Sequence, residues 1–154
     1  MEVRKEIMDI IESQVMKDKY FSQDECVKRL LREWEKYGRL VVAYDFDSTV
    51  CPKEGEDPAD SCDQMIELLR ERKKAGCSMI VFTARPYEEY DIVEKFLKDN
   101  SIPYDYINEN DPTVNLSNSR KIFYNIFFDD RCALAATYEI MVRTLDAKMR
   151  GDTI

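Results

Sequence analysis

Leu40-Val41-Val42-Ala43-Tyr44 is an unbroken apolar run, and Asp45-Phe46-Asp47-Ser48-Thr49 follows it directly. The run is typical of a buried strand, which places two carboxylates at the point where that strand ends. Burying two acids for stability alone would cost several kcal/mol per ion, so the pair indicates a catalytic or metal-binding role. Ligands of α/β sheets bind beside the carboxyl ends of strands, and we therefore expect a cation here.

Two other apolar runs lead into polar residues in the same way. Ser78-Met79-Ile80-Val81-Phe82 ends in Thr83-Ala84-Arg85, and Ile126-Phe127-Phe128 ends in Asp129-Asp130-Arg131. Between them, Ser119-Arg120-Lys121 supplies basic side chains. Because strand-like runs alternate with helical patterns, the sequence predicts an α/β fold, a Rossmann-like three-layer sandwich with a mostly parallel sheet and helices on both faces.

The remaining elements are predicted from hydrophobic spacing and capping signals. In chain order they are a helix over residues 2–20, a helix from the capping box at Ser22 to the residue before Gly38, helices over residues 59–74 and 88–98, a strand over residues 102–107 and a closing helix over residues 132–149. Polar loops are expected over residues 51–60 and 108–118. Residues 1–38 would form a helical hairpin that packs on or extends a catalytic domain of residues 39–154.

The second helix of the hairpin carries an apolar stripe, formed by Val27, Leu30, Leu31 and Trp34. We expect this stripe to pack on the sheet or the core helices of its own domain. Two other uses stay open, namely a contact in a homo-oligomer and a cover over the candidate site.

Composition limits the partners of the chain. Its 154 residues favour one domain, and its net charge is -8 with a pI near 4.7. Tight binding of nucleic acid is not expected, because that affinity comes largely from basic side chains that neutralise phosphates. A small phosphate ester differs, since a bound divalent ion and one lysine can reverse the local charge.

Several classes of protein are also disfavoured. The longest apolar runs last about five residues, far below the roughly 20 that span a bilayer, and the first residues do not resemble a signal peptide, so a cytoplasmic protein is expected. The five cysteines form no CxxC pair, which indicates reduced thiols. With no histidine, zinc and triad chemistries lose their usual ligand or base.

Taken in order, the four polar signals resemble the haloacid dehalogenase superfamily, whose members carry Asp-x-Asp-x-Thr, then Ser or Thr, then Lys, then a paired Asp. The similarity covers about residues 39–131, and the ordered set is specific although each part alone is weak. One departure is Ser48, where the family most often has Gly. Only 33 residues separate Thr49 from Thr83, and 37 separate Thr83 from Lys121, so the chain resembles members without an inserted cap domain.

The resemblance implies a magnesium-dependent phosphatase that forms an aspartyl phosphate. Asp45 would be the nucleophile, and Asp47 would be the general acid and base, which requires it to be protonated when substrate binds. Thr83 and Lys121 would hold the phosphoryl group. The substrate would be a small phosphate such as a nucleotide or a sugar phosphate.

The same resemblance implies a set of magnesium ligands. Asp45 and Asp129 would bind Mg²⁺ directly, and Asp47 would contribute its backbone carbonyl. Asp130 would hold a water molecule on the metal.

Alternatives remain at several positions. Thr83 can be an ordinary strand-end hydroxyl, and Arg120 can replace Lys121 as the cation, because only one of two adjacent residues points inward. Arg85 and Arg131 can contact substrate or pair with surface acids. At the level of function, a phosphotransferase of the same superfamily and a non-catalytic binding module with a vestigial site are the alternatives.

Overall fold

The structure, a computed structural model, describes residues 5, 22–53, 55, 62–114 and 120–152. Within these ranges the chain forms strands β1 (Val41–Asp45), β2 (Ser78–Phe82), β3 (Tyr106–Ile107) and β4 (Ile126–Phe128), and helices α1 (Gln23–Tyr37), α2 (Asp63–Lys74), α3 (Tyr90–Asp99) and α4 (Leu134–Arg150). The predicted α/β class is confirmed. The helix predicted over residues 2–20 lies outside the described residues.

The four strands form one parallel sheet in the order β3-β2-β1-β4. The central strand β1 pairs with β2 on one side, where Asp45 lies opposite Phe82, and with β4 on the other, where Tyr44 lies opposite Phe128. Strands β2 and β3 follow in chain order on one side of β1, and β4 then lies on its other side. Sheets of this kind bind ligands at such a reversal, at the carboxyl ends of the strands.

The two faces of the sheet are covered differently. Val42 and Tyr44 belong to a core cluster to which all four helices contribute, whereas Val41 and Ala43 belong to a second cluster on the opposite face. That second cluster is completed by Tyr37, Ile80, Tyr106, Val114, Ile122, Phe123, Tyr124 and Phe127. The expected helical layer on this face is therefore not found in residues 108–114 and 120–125, where irregular chain returning from β3 to β4 takes its place.

Helix α1 packs on the core of its own chain. Ser22 is the N-cap and accepts a hydrogen bond from the backbone N–H of Glu25 at 3.4 Å, and the helix ends at Gly38, which has a φ of 74°. All four residues of the apolar stripe are buried, two in the main cluster and two against α4. The favoured packing of the stripe is confirmed, and an oligomer contact through the hairpin stays a prediction.

Strand β3 is shorter than the sequence indicated. The prediction covered residues 102–107, but only Tyr106–Ile107 is a strand. Pro103 has no N–H to donate to a neighbouring strand, and Ile102 instead donates its N–H to the carbonyl of Leu97, which completes the end of α3. The pairing with β2 therefore begins only after the proline.

Two helix starts also differ from their predicted positions. The closing helix begins at Leu134 rather than at residue 132, because Cys132 donates its N–H to the carbonyl of Asp129 and Ala133 adopts a φ of 52°. The helix predicted over residues 88–98 is a 3₁₀ turn over Tyr87–Glu89 followed by α3. Helix α2 begins at Asp63, and the predicted start at residue 59 lies outside the described residues.

The cysteines are free thiols, as the sequence predicts; they are Cys26, Cys51, Cys62, Cys77 and Cys132. Burial raises the pKa of the Cys77 thiol to about 11, which keeps it protonated at neutral pH. In the part of the chain that the structure describes, no helix is both long enough and apolar enough to cross a membrane.

The packing of α1 can be tested at Trp34, which is buried. Trp34→Ala is expected to lower the free energy of unfolding by about 3–5 kcal/mol, the usual effect of removing a buried tryptophan. Glu35→Ala, on the exposed side of the same helix, is the matched control and should change it by less than about 0.5 kcal/mol. Urea denaturation followed by circular dichroism measures both, and equal effects would contradict this packing.

Candidate functional site

Three aspartates meet where β1 and β4 end. Asp45 is the last residue of β1, and Asp129 and Asp130 directly follow β4, its parallel neighbour. Each offers one carboxylate oxygen, and these oxygens lie within 4.8 Å of one another. Asp45 and Asp129 are half-buried, whereas Asp130 is exposed. The expected convergence of acids from separate segments is therefore present in the structure.

A cleft of about 240 Å³ opens above these acids. Its lining consists of Asp45, Asp47, Ser48, Lys53, Ala84, Asp129, Asp130 and Arg131. Three strand ends contribute to it, those of β1, β2 and β4. The oxygen-rich lining is suited to a hard cation such as Mg²⁺, which prefers carboxylate and carbonyl ligands.

Thr49 joins the two acidic segments. It is almost fully buried, its hydroxyl lies 3.4 Å from Oδ2 of Asp45, and it accepts a hydrogen bond from the backbone N–H of Asp130 at 3.1 Å. One hydroxyl thus fixes the loop after β1 to the loop after β4. Thr49 belongs to the sequence motif, but its position along the chain gave no sign of the contact with Asp130, which lies 81 residues away.

The acidic surroundings affect the titration of Asp45. Burial raises the pKa of Asp45 to about 6, and the charge of Asp129 acts in the same direction. Asp130 and Asp47 add smaller increases, against a hydrogen bond to the backbone of Phe46. The negative charges of the neighbouring aspartates disfavour the ionised form of Asp45. The same charges would strongly attract a cation placed among them.

Asp47 lies apart from the three convergent acids and is held by Arg85. The guanidinium donates from Nη2 to Oδ1 at 2.7 Å and from Nε to Oδ2 at 3.0 Å, which is a two-pronged ion pair. Arg85 is itself fixed over the ring of Phe46, 5.1 Å from the ring centre, and near Glu89. The expectation that such an arginine pairs with a surface acid is met at Glu89, 3.4 Å from Nη1 of Arg85. Arg85 in addition holds Asp47, the predicted acid/base.

Thr83 directly follows β2 and is buried beside the cleft. Its hydroxyl accepts a hydrogen bond from the backbone N–H of Arg85 at 3.2 Å, and its own N–H donates to Asn108 at 2.8 Å. A hydroxyl that accepts one hydrogen bond can still donate another. The position is compatible both with a phosphate contact and with an ordinary strand-end role, so the predicted role stays a prediction.

Lys121 is not among the described residues that line the cleft. It is exposed and lies two residues before Phe123, whose N–H donates to Asn110 at 2.6 Å. Asn125 then accepts from the N–H of Val41 at 2.6 Å, at the end of the sheet where β1 begins. The segment that follows the lysine therefore meets the sheet at the end away from the cleft, and Ser119 lies outside the described residues. Its role as a phosphate-holding residue stays a prediction.

Two other basic residues do line the cleft, Lys53 and Arg131. The loop that carries Lys53 was predicted only as polar chain, and no spacing signal distinguished this lysine. Arg131 follows the paired acids, and its backbone N–H donates to Asp129 at 2.7 Å. Among the described residues, the basic side chains that line the cleft therefore lie at positions that the motif order did not identify.

Comparisons with known proteins support the fold. No protein-family model matches the chain, and no curated protein matches it. A similar solved structure is that of a conserved protein from Bacteroides thetaiotaomicron, with 20% identity and a TM-score of 0.54 over 75% of this chain and 99% of that one. At this level of identity the likeness shows the α/β fold alone.

Ser48 occupies a strained position, with a φ of 65°. Its buried hydroxyl oxygen also has no hydrogen-bond partner among the described residues. Ser48→Gly is expected to raise the free energy of unfolding by up to about 1 kcal/mol, because glycine adopts this backbone without strain. Ser48→Ala, which removes only the hydroxyl, should gain less. Urea denaturation compares the two, and a larger gain for the alanine variant would show that the backbone is not strained.

The raised pKa of Asp45 predicts how stability depends on pH without metal. Ionising Asp45 opposes folding, so its destabilising effect is absent below about pH 3, grows as the pH rises from the usual carboxyl pKa of 3.8 towards 6 and is complete above it. In chelator, Asp45→Asn should therefore be more stable than the wild type at pH 7 by about 1 kcal/mol, after allowance for solvent screening. The difference should vanish at about pH 3, below the pKa of the carboxyl group in both the folded and the unfolded state. Thermal denaturation at both pH values measures it, and a less stable variant at pH 7 would contradict the prediction.

Proposed function

We propose that this protein is a magnesium-dependent phosphomonoester hydrolase of the haloacid dehalogenase type. The observation that carries the proposal is the convergence of one carboxylate oxygen each from Asp45, Asp129 and Asp130 within 4.8 Å, at the carboxyl ends of two adjacent parallel strands. The ordered motif supports it independently, because each of three signals lies where a strand ends. The free thiols favour a reducing compartment such as the cytoplasm.

In the first step, a carboxylate oxygen of Asp45 attacks phosphorus in line with the ester oxygen. A new O–P bond forms while the ester P–O bond breaks, and the electron pair of that bond leaves with the ester oxygen. Asp47 gives its proton to this oxygen, so that an alcohol departs and aspartyl phosphate remains.

In the second step, Asp47 takes a proton from water, and the water oxygen attacks phosphorus. The O–P bond to Asp45 breaks, which releases inorganic phosphate and restores the carboxylate. Asp45, Asp129 and the carbonyl of Asp47 would hold magnesium, with Asp130 holding a water molecule on it, and the ion would supply positive charge that offsets the charge of the phosphoryl oxygens.

Arg85 determines how Asp47 can take part in these steps. Both oxygens of Asp47 accept hydrogen bonds from the guanidinium, so at least one must open before that oxygen can carry a proton to the leaving group. The remaining bond would orient the carboxyl group. A phosphotransferase of the same superfamily is the second candidate, since it would use the same residues and pass the phosphoryl group to an alcohol instead of water.

The proposal is tested with a generic aryl phosphate. The wild-type protein should release inorganic phosphate with Mg²⁺ and not in chelator. Asp45→Asn should lower kcat by on the order of 1,000-fold or more, because it removes the nucleophile. Asp99→Asn, an exposed acid at the end of α3, is the matched control and should keep wild-type turnover.

Turnover by Asp45→Asn comparable to the wild type would contradict the mechanism. Adding an alcohol acceptor separates the two candidates, because a phosphotransferase would give phosphorylated alcohol in preference to inorganic phosphate. A panel of nucleotide and sugar phosphates would then identify the substrate.

A further inference from the structure

A phosphoryl group bound in this cleft would need a positively charged side chain beside it. Among the described residues, four carboxylates line the cleft, Asp45, Asp47, Asp129 and Asp130, against two basic side chains. Their formal charges leave a balance of -2, which one divalent ion would only cancel. A phosphomonoester is itself a dianion, so each basic side chain at the cleft bears on whether it can bind.

We propose that Lys53 is the residue that neutralises the bound phosphoryl group, the role that the motif order assigns to Lys121. This inference rests on the proposed function, because it concerns the substrate of the same site. Lys53 lines the cleft together with the proposed nucleophile Asp45. The lining contributed by the described residues does not include Lys121.

The loop after β1 explains why Lys53 reaches the cleft. Ser48 donates its N–H to the carbonyl of Cys51 at 2.8 Å, and Cys51 donates its own to the carbonyl of Phe46 at 3.0 Å. A bridge between Asp47 and Cys51 closes the same turn. The chain thus returns to the acids two residues before the lysine.

Pro52 restricts the chain between that turn and Lys53, since its ring fixes φ near -65°. The backbone of Lys53 therefore leaves a closed turn through one restricted residue. A lysine can supply a point charge to phosphate from such a loop without the fixed geometry that an arginine pair needs.

The contacts of Lys121's own segment oppose the alternative. Asn125 donates its N–H to the carbonyl of Val41 at 2.9 Å, which places this segment beside the first residue of β1. Val41 and Asp45 are the two ends of that strand, separated by four residues or about 13 Å at roughly 3.3 Å per residue. Lys121 lies four residues before this contact and is not among the described residues that line the cleft.

Arg131 is the other basic residue at the cleft, and it does not fit the role as well. Its backbone N–H is bound to Asp129, so the residue belongs to the turn that holds a proposed metal ligand. Lys53 lies instead in the loop after β1, which carries the proposed nucleophile.

The test compares Lys53→Ala with Lys121→Ala in the magnesium-loaded, full-length protein. Hydrolysis of the aryl phosphate by Lys53→Ala should fall by on the order of 100-fold in kcat/KM, as for other residues that stabilise charge in a transition state. Lys53→Arg should recover part of the loss. Lys121→Ala should change less than about threefold, and Lys74→Ala, an exposed lysine of α2, controls for the loss of one charge.

Binding of inorganic phosphate, measured by calorimetry with Mg²⁺ present, keeps this test separate from the proposed function. If the wild type hydrolyses no phosphate ester, the proposed function fails, but phosphate binding that is lost in Lys53→Ala and kept in Lys121→Ala still supports the assignment of Lys53. The proposal is overturned if Lys121→Ala loses binding or turnover as much as Lys53→Ala, or if the magnesium-loaded wild type binds no phosphate.

Discussion

Repulsion between carboxylates that are forced together at one end of the sheet is the constraint on which the rest of the structure depends. Two unit charges about 5 Å apart near a protein surface repel by roughly 3 kcal/mol, enough to separate acids carried by flexible chain. Here Asp45 belongs to a strand, and Asp129 directly follows the strand paired with it. The hydrogen bonds between the parallel strands hold these acids close together. Their mutual repulsion is unfavourable, and a bound cation would reduce it.

Two contacts extend this rigidity beyond the strands. Thr49 connects the loop of Asp45 to the backbone of Asp130, and Arg85 holds the carboxylate of Asp47 from the loop after β2. Each contact joins the loops that follow two different strands. The loops after β1, β2 and β4 are therefore connected to one another at the edge of the cleft. Stability and site geometry are therefore coupled, because loosening the contact of Thr49 would free the loop of Asp130, and loosening that of Arg85 would free the carboxylate of Asp47.

The sequence predicts the parts of the fold that depend on local patterns. The apolar runs of β1, β2 and β4 and the cap of α1 at Ser22 all appear where spacing and turn chemistry indicate. The differences arise where distant contacts decide. Pro103 delays β3, and the connection to β4 crosses one face of the sheet without helical structure in its described parts.

The same distinction explains which site residues the sequence could predict. Asp45, Asp129 and Thr83 lie at or directly after strand ends, so strand prediction alone brings them to one edge of the sheet. Loops impose no such register, and a basic residue can reach the cleft from any loop of sufficient length. If Lys53 rather than Lys121 supplies the positive charge, the positions of the strands and of the carboxylates are the same. The order of motifs along a chain therefore locates the acids of such a site reliably, whereas the charge that balances them has to be located in three dimensions.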